Sequence, residues 1–322
     1  MLTACASGDG SSPPAPAPSA STSPPGEPVA EVVATVPVGG GPIGIATGEG
    51  SIWVVNSEFR TQGPGSVSRI DPGAAEVVAT IPVGLVPLEV AVGEGAVWVS
   101  NSGEDTVSRI DPATDAVVDT IDVCAAPEGL AVGVGSVWVA CEDEGAVGRI
   151  DPIRGQMVER FEVGSQPRFV AVAFGSVWVS NYLDGTITRL DPATGDVQAE
   201  ITTAQGPQIM LEAHGSLWVS CTDADLVQVI DPASNEVIEE VPTPVTPDGL
   251  ALAGETVWVA TELGPQIAGI DAFDETPTAY PVANEGLISA NQVMVFANAS
   301  LWLPILERGV VLQVAPPFFT ID

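Results

Sequence analysis

The segment GSVWVSN at residues 175–181 decides the fold, because altered copies of it recur along the whole chain. Each copy carries one tryptophan, and the seven tryptophans are Trp53, Trp98, Trp138, Trp178, Trp218, Trp258 and Trp302. Successive tryptophans are 45, 40, 40, 40, 40 and 44 residues apart. A period near 40 residues indicates a repeat architecture, in which every copy builds one supersecondary unit.

Every repeat contains four short segments that are rich in Val and Ile and bounded by Gly, Pro, Asp or Asn. The first has the form of Pro127–Gly133, and the second is the tryptophan segment itself. The third ends in Ile-Asp-Pro, as at Ser108–Pro112, and the fourth has the form of Val117–Val123. Segments of this length and composition predict four antiparallel strands per repeat.

The two ends of the chain complement each other. Residues 29–38 match 76–84 (EVVATIPVG), the last segment of the first complete repeat, yet no tryptophan segment precedes them. The seventh repeat has a third segment near Val310–Val314 but no clear fourth segment. The N-terminal strand is therefore expected to complete the last blade. The sequence predicts an all-β domain over 29–322, a closed seven-bladed β-propeller of four-stranded antiparallel blades.

The composition is strongly acidic. Forty-two acidic residues stand against 9 basic ones, all arginine, for a formal net charge of −33. Such a field repels phosphate backbones, so nucleic acid is not an expected partner. No apolar run reaches the roughly 18 residues that a spanning helix needs. We expect a monomer.

The N-terminus resembles a lipoprotein leader. Leu2-Thr3-Ala4-Cys5 is similar to the lipobox of bacterial lipoproteins, and we interpret 1–5 as the remnant of a signal peptide with Cys5 as the lipidated residue. Residues 6–28 contain seven prolines among Ser, Ala and Gly, which is typical of an unfolded tether. A chance match in an Ala-rich terminus is the alternative. The resemblance implies an extracytoplasmic protein anchored to the outer face of the cell membrane.

The most regular polar residues are interpreted as scaffold. The aspartates of the Asp-Pro pairs are Asp71, Asp111, Asp151, Asp191 and Asp231, and they are expected to form turns. Two residues before four of them stand Arg69, Arg109, Arg149 and Arg189, which are expected to brace their blades. The tryptophans are expected to fill the space between blades.

Function should lie where the copies differ, and the first such set follows the proline of each first strand. Its members are Ile43, Leu88, Glu128, Arg168, Gln208, Asp248 and Gln292. First strands are innermost, so these residues should ring one mouth of the central channel. Glu128, Arg168, Gln208 and Asp248 are the predicted ligand contacts. Arg168 can receive a carboxylate or phosphate; an ion pair with Glu128 or Asp248 is the alternative.

The second variable set ends each tryptophan strand on the same face. Its members are Asn56, Asn101, Cys141, Asn181, Cys221 and Thr261. We expect further ligand contacts from Asn181 and from Arg60, which lies in the longest loop of this face. The acidic loops that follow the set can hold Mg²⁺ or Ca²⁺, but a solvated acidic rim without a cofactor is the preferred interpretation.

The cysteines and the one histidine complete the candidates. Cys124 and Cys141 should fall at the same face, where a disulfide is feasible. Cys221 is then expected to be a free buried thiol. His214 is expected on a surface turn at the face opposite the mouth.

The repeat also resembles known families. The run Gly-x-Val-Trp-Val-x-Asn, Val-x-Arg-Ile-Asp-Pro-Ala-Thr and Ile-x-Val-Gly resembles the YVTN/YncE-like propeller repeats of bacterial exported proteins, and is similar to the streptogramin (virginiamycin B) lyase family. The lyase resemblance implies a magnesium-dependent elimination that opens a cyclic depsipeptide, with a histidine base and a glutamate-held metal at the mouth. No position of this sequence matches that histidine.

Two functions are therefore expected from the sequence. The preferred one is an exported, lipid-anchored module that binds a protein, peptide or small ligand at the mouth. The alternative is a metal-dependent lyase or lactonase that uses the mouth carboxylates.

Overall fold

A computed structural model describes residues 29–58, 60–244, 246–261, 266–271, 278–282 and 294–316. The described residues form seven separate four-stranded antiparallel sheets, the predicted blades of a β-propeller. Within these ranges no helix is long and apolar enough to cross a membrane. The predicted tether 6–28 and Cys5 lie outside the described residues.

The first four blades follow one another along the chain. Blade 1 contains β2 (Pro42–Gly48), β3 (Ser51–Asn56), β4 (Pro64–Asp71) and β5 (Glu76–Leu85). Blade 2 contains β6 (Pro87–Gly93), β7 (Ala96–Asn101), β8 (Thr106–Asp111) and β9 (Ala116–Asp122). Blade 3 contains β10 (Pro127–Gly133), β11 (Ser136–Cys141), β12 (Ala146–Asp151) and β13 (Gln156–Glu162). Blade 4 contains β14 (Pro167–Ala173), β15 (Ser176–Asn181), β16 (Thr186–Leu190) and β17 (Val197–Thr202).

The last three blades include the strand that closes the ring. Blade 5 contains β18 (Pro207–Ala213), β19 (Ser216–Cys221), β20 (Leu226–Asp231) and β21 (Glu236–Pro242). Blade 6 contains β22 (Pro247–Ala253), β23 (Thr256–Thr261), β24 (Gln266–Asp271) and β25 (Thr278–Pro281). Blade 7 contains β26 (Val295–Ala297), β27 (Ser300–Ile305), β28 (Val310–Ala315) and the N-terminal β1 (Glu31–Pro37).

Strand β1 is the outermost strand of blade 7. It pairs antiparallel with β28, with Thr35 opposite Leu312 and Val36 opposite Val311. The Val38 N–H then donates to the carbonyl of Gly309 at 3.0 Å. The two ends of the chain therefore share one sheet, as the sequence predicts, and the last blade keeps four strands.

Burial along the strands follows their place in the blade. Every residue of β3, β7 and β15 is buried, because a middle strand packs against neighbouring blades on both faces. The outer strand β9 alternates between exposed and partly buried residues over most of its length. This period-two pattern is the one expected of a strand with one face in solvent.

The tryptophans fill the space between blades. Each has at most 4% of its surface exposed. In five blades the indole Nε1–H donates to a carbonyl five residues earlier, and those pairs are Trp53–Gly48, Trp98–Gly93, Trp178–Ala173, Trp218–Ala213 and Trp302–Ala297. These bonds satisfy the one polar group that each buried indole carries. The structural interpretation of the tryptophans is supported.

The repeated arginines join one blade to the next rather than bracing a single blade. Arg189 places its guanidinium over the ring of Trp178, 4.6 Å from the centroid. It also donates to the Pro232 carbonyl at 2.6 Å and to Asn235 Oδ1 at 2.7 Å, both in blade 5. Arg69 makes the same contacts from blade 1 to Pro112 and Asp115 of blade 2.

The junction of blades 2 and 3 lacks this hydrogen-bonded contact. Arg109 still lies over Trp98, 5.3 Å from the ring centroid, but its guanidinium has no hydrogen-bond partner in the described part of the chain. Two residues of this junction differ from their counterparts at the junctions of blades 1–2 and 4–5. Ala96 stands where blades 1 and 4 supply a serine hydroxyl, and Gly155 stands where Asn235 supplies an acceptor in blade 5.

The Asp-Pro aspartates form turns, as predicted. Asp71 Oδ1 accepts the N–H groups of Gly73 at 2.8 Å and Ala74 at 3.1 Å. Asp191 repeats the pattern with Ala193 and Thr194. Each carboxylate is thus held by the backbone of its own turn.

The missing contact of Arg109 yields a matched stability test. We expect Arg189→Met to lower the free energy of unfolding by about 2 kcal/mol, since it removes three hydrogen bonds of the guanidinium, two of them to the next blade, and a cation–π contact. Arg109→Met removes only the stacking and should cost about 1 kcal/mol or less. Urea unfolding of both variants measures the difference. Equal losses would show that the hydrogen bonds between blades contribute nothing.

Candidate functional site

A cavity of about 90 Å³ lies where the inner strands of six blades converge on the propeller axis. It is lined by the residues that follow the first proline of each inner strand: Ile43, Gly44, Leu88, Glu89, Glu128, Gly129, Arg168, Phe169, Gln208, Ile209 and Asp248. The four predicted mouth residues are therefore brought together. The seventh member of that set, Gln292, lies outside the described residues.

A β-bulge at the start of each of these six strands explains the lining. The register shifts between Pro87 and Val90, and equivalent shifts occur in the other five inner strands. A bulge places two residues opposite one on the partner strand and re-aims their side chains. Hence the second residue after the proline also lines the cavity in most blades.

Glu89 is the main residue that the sequence analysis missed. It is the second residue after Pro87, only 8% exposed, and it lines the cavity. Its Oε1 accepts the N–H of Val90 at 2.9 Å. In the described part of the chain its other oxygen, Oε2, has no hydrogen-bond partner. In a regular strand the side chain of residue 89 would point away from the axis, because neighbouring side chains alternate between the two faces. The bulge between Pro87 and Val90 turns Glu89 towards the cavity, and the sequence does not show this bulge.

Burial changes the protonation of Glu89. It raises the pKa of this carboxyl to about 8, the nearby charge of Asp248 adds to the rise, and the Val90 N–H opposes it. The neighbouring strand leaves room for the carboxyl through Gly44, where a Cβ would lie 2.9 Å from Glu89 Oε1 and 2.6 Å from the Leu88 carbonyl. Glycine at position 44 is therefore part of the site.

Glu128 is a second carboxyl with a raised pKa. Burial is the largest cause, the adjacent Glu142 carboxylate adds to it, and Arg168 opposes it, with a resulting pKa of about 8. Its Oε2 is buried without a hydrogen-bond partner among the described residues. Near neutral pH the cavity thus holds two carboxyl groups that are mostly protonated.

Arg168 does not make the ion pair that was the alternative for it. Its guanidinium lies over the ring of Tyr182, 3.9 Å from the centroid, and Nη1 donates to Gln208 Oε1 at 3.4 Å. Its nearest carboxylate is Glu142, with 4.0 Å between Nε and Oε1. The guanidinium therefore contacts Tyr182, Gln208 and Glu142 instead of forming an ion pair with Glu128 or Asp248.

The end of strand β11 brings Glu142 to the rim of the cavity. Cys124 and Cys141 are bonded as predicted, with 5.6 Å between their Cα atoms. Cys141 ends β11, and Glu142 begins the 3₁₀ turn Glu142–Glu144 directly after it. The Glu142 N–H donates to the Ala126 carbonyl at 3.1 Å, which fixes this turn against the segment that enters β10. From the sequence alone, Glu142 belongs to one of the acidic loops that were expected to form a solvated rim.

Asn181, a predicted ligand contact, is not brought to the axial cavity. Its side chain is fully buried and does not line the cavity. Its Nδ2 donates to the hydroxyls of Thr186 and Thr188, and its Oδ1 accepts the Gly164 N–H. All of its polar groups therefore serve the end of blade 4.

Arg60 lies in a different depression from the axial cavity. It pairs with Glu307 of blade 7 and is 64% exposed. Gly39–Gly41 and Leu306–Gly309 line this depression, where blade 1 meets the closing blade. Arg60 therefore joins the ends of the ring and does not contact the predicted mouth residues.

The remaining candidates lie away from the cavity. His214 is exposed on the turn between β18 and β19, with Nδ1 3.7 Å from Glu255, at the end of β18 opposite the mouth. Cys221 is a free buried cysteine, and burial raises the pKa of its thiol to about 12. Across the described ranges no three His, Cys, Asp or Glu side chains are grouped to hold a metal ion.

Comparison with known proteins identifies the fold and not the activity. No family model and no curated protein sequence matches the chain. Among solved structures, 1309 chains match, so the fold is too widespread to select a function.

Three of the structural matches show this range. A streptogramin B lyase structure is 17% identical, with a TM-score of 0.71 over 85% of this chain and 93% of that one. Hydrazine synthase from Kuenenia stuttgartiensis is 15% identical, with a TM-score of 0.71 over 88% and 96%. The β-propeller domain of Cps50 (Swd1) from Myceliophteria thermophila is 13% identical, with a TM-score of 0.73 over 89% and 99%.

The raised pKa of Glu89 predicts a pH-dependent cost to stability. Between about pH 4.5 and 8 the folded state keeps a proton that the unfolded state has lost, so stability falls as pH rises through this window. The slope is about 1.4 kcal/mol per pH unit for one group. Glu89→Gln removes the titration but keeps an acceptor for the Val90 N–H.

The variant should therefore gain stability over the wild type at pH 8 and gain little at pH 5. Thermal unfolding at both pH values measures this. Glu94→Gln, an exposed change at the other end of β6, is the control and should behave as the wild type. An equal effect of Glu89→Gln at both pH values would contradict the raised pKa.

Proposed function

We propose that this chain is an exported, lipid-anchored β-propeller that binds a small ligand, or one side chain of a peptide or protein, in the axial cavity. The observation that carries the proposal is the cavity itself, where the residues that differ from blade to blade converge around buried carboxyl groups. A buried carboxyl oxygen without a hydrogen bond is costly unless something else supplies the donor. A bound ligand would supply it.

The size of the cavity supports a small occupant. A water molecule needs roughly 10–15 Å³ of such volume, so about 90 Å³ corresponds to roughly six to nine water-sized positions. The lining combines apolar walls from Ile43, Leu88 and Ile209 with a few polar groups. This mixture is typical of small-molecule sites, in which apolar contacts give affinity and polar groups give orientation.

Two observations support export and anchoring: the N-terminal sequence and the disulfide bond. The lipobox-like Leu2-Thr3-Ala4-Cys5 precedes a proline-rich segment that suits a tether. The disulfide between Cys124 and Cys141 suits an oxidising compartment outside the cytoplasm. Metabolic labelling with a radioactive fatty acid tests the anchor, since Cys5→Ser should abolish the label.

The pKa values favour one alternative, a lyase or lactonase. A carboxyl that titrates near pH 8 can act as a general acid or base at neutral pH, and Glu89 and Glu128 both meet this condition. The resemblance to streptogramin lyases supports the same reaction class, but the histidine base that it implies has no counterpart here. The chain's one histidine, His214, lies at the opposite end of β18.

Binding at the cavity is tested by blocking it. A library of small polar metabolites that contains cations, anions and neutral compounds is screened for thermal stabilisation of the wild type. Leu88→Trp should fill the cavity and abolish the stabilisation by any true ligand, which is about 2.7 kcal/mol at 100 times its Kd. Ile153→Trp places the same side chain at an exposed turn and is the control.

The proposal is wrong if every stabilising compound stabilises Leu88→Trp equally, or if no compound of any class stabilises the wild type. Catalysis is tested separately with a streptogramin B and Mg²⁺, with chromatography to detect the ring-opened product. Turnover that Glu128→Gln abolishes would replace the binding proposal with the lyase. The binding proposal expects no turnover.

A further inference from the structure

We propose that the ligand of the axial cavity is a small organic ammonium ion, whose N–H groups are accepted by the carboxylate of Glu89 beside Asp248. This inference rests on the proposed binding function and names the chemical class of the ligand. It also makes Glu89, rather than Arg168, the residue that selects the ligand.

The first observation is the unused acceptor of Glu89. Its side chain is more than nine-tenths buried and lines the cavity, and Oε1 already accepts the Val90 N–H. Oε2 has no donor among the residues that the structure describes. Glu89 is held in place by its backbone bond and lines the cavity, so a donor from a ligand can supply the missing partner.

The second observation is the balance of charge around the cavity. Glu89, Glu128 and Asp248 line it and Glu142 lies at its rim, whereas Arg168 is the one basic residue in the described part of the lining. The guanidinium of Arg168 stacks on Tyr182 and donates to Gln208 at 3.4 Å, and its buried Nε lies 4.0 Å from Glu142 without a hydrogen-bond partner among the described residues. A cation favours the ionised form of these carboxyl groups in a poorly solvated site, whereas an anion disfavours it.

The third observation is the apolar part of the lining. Ile43, Leu88, Phe169 and Ile209 face the same space as the carboxyl groups. A hydrated metal ion gains nothing from such walls, but the hydrocarbon part of an organic cation is removed from water against them. Phe169 also offers an aromatic ring, a surface that attracts organic cations. The volume limits the ion to a few carbon atoms.

Binding should release a proton. Near pH 7 Glu89 is mostly protonated, because burial and Asp248 raise its pKa to about 8. An alkylammonium group has a pKa of about 10.4 and keeps its charge. When it binds, the Glu89 proton leaves to solvent and the carboxylate pairs with the ammonium, so the net charge of the site is unchanged. Glu128, Arg168 and Glu142 are the other charged groups near this pair.

The consequence is an affinity that rises with pH. One displaced proton with a pKa of about 8 weakens binding roughly ten-fold for each pH unit below 8 and not above it. The Kd at pH 9 should thus be about ten times lower than at pH 7. Release of close to one proton per bound ion at pH 7 should appear as a dependence of the binding enthalpy on the ionisation enthalpy of the buffer.

The test compares three probes of matched size by isothermal titration calorimetry: butylammonium, butan-1-ol and butyrate. We expect butylammonium to bind with the stated pH dependence and the other two not to bind. Glu89→Gln should weaken butylammonium at least ten-fold at pH 9 and abolish the proton release. Glu94→Gln, on the same strand pair but at the opposite face, should bind as the wild type does.

Other results of these titrations would contradict the proposed ammonium ligand. Butyrate or butan-1-ol binding as tightly as butylammonium, no binding of butylammonium up to tens of millimolar, or an unaffected Glu89→Gln variant would each overturn the ammonium assignment. The proposed function survives these results if the library screen yields an anionic or neutral ligand that Leu88→Trp excludes. Should Glu89→Gln fail to fold, Leu88→Trp takes its place. Unchanged butylammonium binding to that variant would overturn the assignment to this cavity.

Discussion

The pairing of β1 with β28 is the contact on which the rest of the structure depends. It joins the two ends of the described chain in one sheet and gives blade 7 its fourth strand. With the ring closed, the inner strands of successive blades lie side by side and their bulged ends meet at the axis. The cavity depends on the closed ring, because six different blades contribute the residues that line it.

Contacts between neighbouring blades maintain the ring once it is closed. The guanidinium of Arg69 or Arg189 crosses to the turn of the next blade while it covers the tryptophan of its own. The blade 2–3 junction lacks the hydrogen-bonded form of this contact, and it is also the junction with the disulfide. Cys124 lies in the segment that connects these two blades, and its bond to Cys141 anchors that segment to blade 3.

The end of strand β11 couples the scaffold to the site. It places Glu142 beside Glu128 and Arg168, where the Glu142 charge raises the pKa of the first and its Oε1 lies 4.0 Å from Nε of the second. Glu89, on the preceding blade, has its own backbone partner and its own neighbour in Asp248. The lining therefore includes two differently supported carboxyl groups with raised pKa values, Glu89 and Glu128, and each has one oxygen without a hydrogen-bond partner among the described residues.

The number of blades, the ring closure and the turn aspartates were predictable from sequence, because each depends on a spacing that repeats with the tryptophans. The mouth residues Glu128 and Arg168 were predictable for the same reason, as they stand at one position of the repeat. Glu89 was not, because a bulge overrides the simple alternation of a strand. That Asn181 lies outside the cavity was not predictable either, because a strand-end asparagine that closes a blade has the same sequence position as one that contacts a ligand.

The central claim is that a buried, mostly protonated carboxyl group faces the axial cavity. It is tested most directly by carbon-13 NMR titration of the glutamate side-chain carboxyls, with the Glu89 resonance assigned by its loss in Glu89→Gln. The account predicts that this resonance titrates near pH 8, far above the ordinary glutamate value. Titration of Glu89 near pH 4.5 would show a solvated carboxylate and would contradict the account of the cavity and of its ligand.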